Sequence, residues 1–290
     1  MNRTSISVVT PSYNQGPFIE RTIKSILDQG VPVEYVVFDG GSQDETIDIL
    51  KKYGEQIKWV SEKDRGQAHA VNKGIAATHG DVIAWINSDD IYYPGALQTV
   101  KDYFDQHPEV DLVYGDANHI DLEDQVIEPY PTEDWNLDNL MNVCYICQPA
   151  AFFRRRAVER YGMLDEHLHY NMDYDYWLRL GMGGAVTARI PVLLAGSRMY
   201  AENKTLKGRE KKHYEINDMF IKLCGKVPER WIFNYAHAVL DQRGLPRTAR
   251  FRFSTLVSMI SIWAAIKWNH HVSYNMLVTC RRWITGRLRR

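Results

Sequence analysis

Cysteine is scarce: four residues, Cys144, Cys147, Cys224 and Cys280, are too few and too scattered among 290 to form a disulfide framework. Cys144-x-x-Cys147 has no second pair at zinc-finger spacing, so it reads as two small buried residues rather than a metal or redox pair. A run of about twenty apolar residues is also missing, which argues against a membrane-spanning helix. The nearest approach, Phe251–Trp268, is interrupted by Arg252 and Lys267. No G-x-G-x-x-G follows the first expected strand, which argues against a dinucleotide oxidoreductase. Pro11–Gly16 lacks the Gly-rich, basic character of a nucleotidyltransferase phosphate loop. Internal repeats and low-complexity linkers are absent. Ser5-Ile6-Ser7-Val8-Val9 enters a strand almost at once, so no signal peptide is expected and the thiols are read as reduced and cytosolic.

The last absence is of one sign of charge. No acidic residue follows Asp241, whereas ten Lys and Arg do. Taking those ten from 35 leaves 25 basic against 36 acidic side chains, a net of −11 for residues 1–242. An acidic body with a basic tail calls for an anionic partner at the tail. Hydrophobic content of 45% supplies a full core for one large α/β domain, or one domain with an appendage.

The first half alternates short β-branched runs with helical patterns, as parallel α/β domains do. Strands are expected at Ile6–Thr10, Val33–Phe38, Ile57–Val60 and Val82–Ile86, with a helix after Pro17, one near Asp44–Lys51 and one from Gln67 to Thr78. Three of these strands run into polar loops carrying Asp or Asn. Ligands in open α/β sheets sit beyond the strands' carboxyl ends, so Tyr13, Asn14, Asp39, Asp89 and Asp90 are placed on one rim. Shorter extended pieces follow at Leu112–Tyr114, Ala117–Asp121 and Gln125–Pro129. Then come a helix with Tyr176, Trp177 and Leu180, a strand at Val186–Ile190, and a helix from about Lys207 to Cys224.

Asp89 and Asp90, at the exit of a buried strand, suit a hard cation such as magnesium or manganese held against a diphosphate. The plain alternative is a turn with a helix cap before Pro94. Four blocks, in order, tip the balance. They are Val8-Val9-Thr10-Pro11-Ser12-Tyr13-Asn14-Gln15, Phe38-Asp39-Gly40-Gly41-Ser42-Gln43-Asp44-Glu45-Thr46, the stretch from Asp64-Arg65-Gly66 through Asn72-Lys73-Gly74, and the stretch from Gly80-Asp81 through Asn87-Ser88-Asp89-Asp90. This series resembles the inverting family 2 glycosyltransferases. Farther on, Gln148-Pro149-Ala150-Ala151-Phe152-Phe153 resembles their acceptor side, and Asn171-Met172-Asp173-Tyr174-Asp175-Tyr176-Trp177 resembles their E-D-x-D-x-W helix.

The resemblance implies a GT-A type fold: an α/β, Rossmann-like mixed sheet flanked by helices, with a C-terminal helical appendage. It implies a catalytic domain over 1–226, divided near 110 into nucleotide-sugar and acceptor halves, and a basic, aromatic-rich helical region over 227–290. Thr10, Pro11, Tyr13 and Asp39 would surround base and ribose, with Asp64, Arg65, Asn72 and Ser88 near the nucleotide or donor sugar. Asp39 suits a uracil or thymine N–H; a strand-end Asx turn is its plain reading. Asp89 and Asp90 would hold Mg or Mn. Asp173 would be the general base, with Asp175 two residues on as its control and a helix cap as its plain reading. Two positions depart from the pattern. Asn87 replaces the first Asp of a D-x-D turn, and Arg198-Met199-Tyr200 replaces R-x-H. Lys204, Lys207 and Arg209 could hold diphosphate or acceptor, or be a solvated loop.

The expected activity is transfer of a hexosyl or N-acetylhexosaminyl group from a nucleotide diphosphate donor, a UDP-sugar favoured, to a lipid-linked glycan or surface polysaccharide. A non-catalytic sugar-nucleotide or glycan-binding module is the rival. The tail reads either as a peripheral contact with an anionic membrane at the inner face of the plasma membrane, or as helices packed on the domain or across a homodimer. No motif for reading nucleic acid accompanies it.

Overall fold

The computed structural model describes residues 4–200 and 208–286, so Lys204 and Lys207 lie outside the described residues. The chain divides into two compact units, 1–200 and 201–290.

In the first unit, β1 (Ile6–Ser12) is buried along its whole length, as expected of a central parallel strand covered on both faces. Pro17 stands in the first turn of α1 (Gly16–Leu27), which buries Ile19, Ile23 and Ile26. β2 (Val33–Asp39) lies parallel to β1, and after α2 (Thr46–Lys52), β3 (Lys58–Ser61) lies parallel to β2. α3 (Gln67–Ala76) leads back to β4 (Val82–Trp85), parallel to β1 on its other side. Strand order thus reverses between β1 and β4, opening a crevice at their carboxyl ends. α3 packs so closely that a Cβ on Gly74 would stand 2.2 Å from Val9 Cγ1.

The sheet continues as a mixed one. After β5 (Ile91–Tyr92) and α4 (Ala96–Gln106) come β6 (Leu112–Ile120), β7 (Val126–Pro129), the short α5 (Leu137–Leu140), β8 (Ala151–Arg154), α6 (Arg155–Tyr161), α7 (Met172–Met182) and β9 (Thr187–Arg198). The order is β3-β2-β1-β4-β8-β6-β9-β5, with β7 paired to β6. β8 is antiparallel to both β4 and β6. Leu112–Tyr114 and Ala117–Asp121, expected as separate pieces, form the single strand β6, and the strand expected at Val186–Ile190 runs on to Arg198. The cause is a bulge: Gly115 pairs with Ile190 and Asp116 with Leu193, which leaves Pro191 and Val192 looped out. Proline is tolerated at such an irregularity because it has no ladder hydrogen bond to give. Gly115 fits there because a Cβ would meet the Val192 carbonyl oxygen at 2.7 Å as well as the Leu194 side chain at 2.5 Å.

The second unit holds α8 (Arg209–Cys224), α9 (Glu229–Gln242), α10 (Arg250–Asn269) and α11 (Tyr274–Thr285). Its first helix is grouped with the three that follow. Ala236, Leu240, Phe253 and Val257 form a small core between α9 and α10. No helix among the described residues is long and apolar enough to cross a membrane.

Candidate active site

The loops after β1 and β2 are pinned to each other by side chains. Asn14 takes a left-handed conformation (φ 51°), its N–H donates to Ser42 Oγ at 2.7 Å, and its Oδ1 accepts from Gln43 N–H at 2.9 Å. Gln15 and Gly16 N–H groups donate to Thr46 Oγ1 and Asp44 Oδ2, both at 3.0 Å. Seven residues of the two loops thereby become a fixed rim. Tyr13 stands on it 61% exposed, an aromatic face open to a base. Gly40 makes room beneath: an added Cβ would lie 2.8 Å from Asp64 Oδ2 and 3.3 Å from Tyr13 Cδ2. Tyr13, Gly40 and Asp64 are therefore neighbours.

Other residues expected at the nucleotide are engaged with the protein. Asp39 is buried, and its Oδ2 accepts from Gly41 N–H at 3.0 Å, Ser42 N–H at 2.8 Å and Ser61 Oγ at 2.6 Å. Thr10 Oγ1 accepts from the Tyr35 hydroxyl at 3.2 Å, and Pro11 and Ser88 are buried. Asn72 clasps the backbone of Leu164, donating to its carbonyl at 2.9 Å and accepting from its N–H at 3.1 Å. Arg65, largely exposed, pairs with Glu166 at 2.5 Å. A phosphate contact by Arg65 would have to compete with that carboxylate.

The turn after β4 explains its own asparagine. Asn87 Oδ1 accepts from Gln67 Nε2 at 2.7 Å and Trp85 Nε1 at 3.1 Å, while its Nδ2 donates to Gln148 Oε1 at 2.9 Å and Asp90 Oδ2 at 3.3 Å. Gln148 Nε2 in turn donates to the Trp85 carbonyl at 2.6 Å. An aspartate would have no N–H for Asp90 or Gln148 and would face a buried carboxyl. Asn87→Asp is accordingly expected to cost about 2 kcal/mol of stability, read by chemical denaturation. A loss under a few tenths would mean the amide is dispensable.

Asp89 and Asp90 are not equivalent. Asp90 is buried, its Oδ1 taken by the Arg198 N–H at 2.9 Å and its Oδ2 by Asn87. Asp89 is half-buried, and its Oδ2 accepts from the Tyr200 hydroxyl at 2.9 Å. Burial pushes both carboxyls above the ordinary range, and the Asp89 charge pushes Asp90 well above it. Burial and the same charge also raise the Tyr200 phenol, so it stays a donor at neutral pH. Among the described residues no three His, Cys, Asp or Glu side chains gather as a metal cage. One accessible carboxylate backed by a second is nonetheless a donor set that suits Mg or Mn when phosphate oxygens complete the shell.

Arg198 holds this turn from behind. It is fully buried, its Nε donates to the Asp89 carbonyl at 2.7 Å, and its Nη atoms reach the Asp121 carbonyl and Asp124 Oδ1. Its guanidinium also lies 5.1 Å from the centre of the Phe18 ring. Sequence reading missed this role, together with those of Gln67 and Gln148. The signal available was Arg198 itself, the arginine of the R-x-H pattern, two positions before Tyr200.

Asp173 lies in the first turn of α7, half-buried, its Oδ1 accepting from Tyr174 N–H at 2.8 Å. Asp175 is buried and paired with Arg179 at 2.8 Å. The two aspartates thus differ in exposure and in pairing. The Cys147 thiol, pushed well up chiefly by burial, is raised further by the charges of both Asp90 and Asp173. Charges of the β4 turn and of the start of α7 are thus both felt at Cys147. Cys144 and Cys147 are free thiols.

The family model described as Glycosyl transferase family 2 matches residues 7–162, more than half of the chain. An uncharacterized glycosyltransferase of Rickettsia prowazekii is 27% identical over 214 residues, which are 69% of this chain and 65% of that protein. The chain thus spans just under two thirds of that relative's length. Among solved structures, S. aureus TarS 1-349 in complex with UDP-GlcNAc superposes with a TM-score of 0.66 at 15% identity, covering 99% of this chain and 93% of that one. The mannosyltransferase PcManGT of Pyrobaculum calidifontis, in complex with GDP-Man and Mn2+, gives a TM-score of 0.60 at 19% identity, with 98% and 84% covered. The mixed sheet with C-terminal helices is thus the fold of such transferases, as expected.

Proposed function

The chain belongs to glycosyl transferase family 2, and from that premise we propose that it moves a sugar from a nucleotide diphosphate donor to an acceptor hydroxyl with inversion. The observation that carries this reading is the two-carboxylate turn at the carboxyl end of β4, Asp89 beside Asp90, at the switch point of the sheet. In this reading Asp173 is the carboxylate for the acceptor proton and the β4 turn faces the diphosphate.

The acceptor oxygen attacks the anomeric carbon from the face opposite the diphosphate. The bond from that carbon to the diphosphate oxygen breaks, and the electron pair leaves with the nucleotide. The proton passes to the Asp173 carboxylate, and no covalent enzyme intermediate is needed. Tyr13 would stack on the base, with Thr10, Pro11 and Asp39 shaping its pocket and Asp64, Arg65, Asn72 and Ser88 supporting the donor side. A UDP-sugar is favoured, carrying a hexose or N-acetylhexosamine. The acceptor is read as a lipid-linked glycan or surface polysaccharide, on the cytoplasmic side.

Asp89, backed by Asp90, would hold Mg or Mn, which supplies charge neutralisation for the departing diphosphate. In the metal-free chain the raised carboxyls keep a proton that the unfolded chain gives up. That contribution to stability is fullest below the ordinary carboxylate range and is lost as pH rises past the folded value. A cation competes with the same proton, so Mn2+ should bind more tightly at roughly pH 7.5 than at roughly pH 5 in titration calorimetry. Equal affinity at both would remove these carboxyls from the metal site.

A second reading, a sugar-nucleotide-binding module without turnover, is favoured by the Tyr200 hydroxyl resting on Asp89. Release of nucleotide diphosphate across a donor panel, with and without Mn2+, separates the two. Turnover of one donor supports transfer; binding with no turnover against any acceptor supports the module.

A further inference from the structure

The outward side of α10 has the wrong chemistry for water. Its inner side, with Phe253, Val257 and Ala264, is buried. The opposite stripe runs Arg252, Leu256, Met259, Trp263, Ile266, at helical spacings of four, three, four and three. Met259 is 60% exposed, Trp263 52% and Ile266 54%. A helix packed on one side carries polar residues on the other, so a row of large exposed apolar side chains marks a contact surface. A groove of about 440 Å³ opens beside the same stripe, its apolar walls including Leu240 and Leu256, with Arg243 and Arg252 at its edge.

Charge selects the occupant. Neither Arg243 nor Arg252 forms an ion pair among the described residues, and no acidic residue exists after Asp241. A second copy seated on this face would bring arginine toward arginine with no carboxylate on either stripe. A bilayer containing anionic phospholipid supplies what both parts need: an acyl region for Met259, Trp263 and Ile266, and headgroup phosphates for the arginines. α11 repeats the composition, with Tyr274 79% exposed, Leu277 48% exposed and Arg281 one further turn along.

We propose that the α10 stripe and its groove dock the chain on an anionic lipid surface. This stands apart from the transfer reading, since it uses no residue of the first unit. The test is flotation of the full chain with phosphatidylcholine vesicles and with vesicles containing phosphatidylglycerol, at low and high salt, for wild type, Arg252→Glu and the double variant Met259→Glu/Trp263→Glu. Binding to the anionic vesicles is expected, weakened by salt, and reduced about tenfold or more by either variant. Thermal melts and donor binding of each variant should match wild type, because the altered side chains are exposed. Two results would overturn the proposal. One is no flotation with either vesicle; the other is a lipid-independent dimer in sedimentation that the double variant converts to monomer.

Discussion

Asp173→Asn should lower kcat for sugar transfer by about 10²–10⁴-fold while leaving donor affinity nearly unchanged. The amide keeps the size of the side chain and can still accept from Tyr174 N–H, so the start of α7 remains intact. What it loses is the capacity to take a proton from the attacking hydroxyl. Asp175→Asn is the contrasting change: it breaks a buried pair with Arg179 and should show in stability before catalysis. Rates from donor turnover and affinities from calorimetry separate the two cases. If Asp173→Asn turned over at the wild-type rate, the base would have to be found elsewhere.

Arg198→Met should destabilise the fold by about 3–5 kcal/mol, lowering the melting temperature by roughly 10 °C. The methionine fills much of the volume but returns none of the hydrogen bonds. The Asp89 and Asp121 carbonyls lose these donors, and Asp124 loses its buried partner, keeping Arg21 at 3.1 Å. Arg198→Lys should restore only part of the loss, because a single ammonium cannot span three acceptors in a fixed plane. Thermal and chemical denaturation both report it, and a cost below about 1 kcal/mol would show that the clamp is dispensable. Donor affinity should fall in parallel, since the Asp89 turn is held through its backbone by this side chain.

Local chemistry made the first hundred residues readable. Strands β1, β2 and β4 are apolar runs that stop at Asn- and Asp-bearing loops, and the helices between them have regular apolar stripes; nothing distant is needed to define either. Later strands were harder. β8 is four residues long, and β9 contains Pro191, which the sequence presents as an end and the bulge opposite Gly115 turns into an interruption. At the site, residue types were readable but partners were not. Asn72 looks like a donor-side residue until it meets Leu164, 92 positions away, and Asn87 looks like a weakened ligand until Gln148 and Asp90 take its amide. Such contacts have no periodicity and no local spacing, so only the folded chain reveals them.

The Arg198 clamp also sets an order of assembly. A chain leaving the ribosome presents Tyr13, Asp39, Asp64 and the whole Asn87–Asp90 turn within its first ninety residues, and Asp173 well before its end. The side chain that ties the Asp89 backbone to Asp121 and Asp124 is not made until position 198, and Tyr200 follows two residues later. Until then the acidic turn has no arginine behind it and no phenol on it. A nascent chain thus carries the Asn87–Asp90 turn for more than a hundred residues of synthesis before the side chain that fastens it is available.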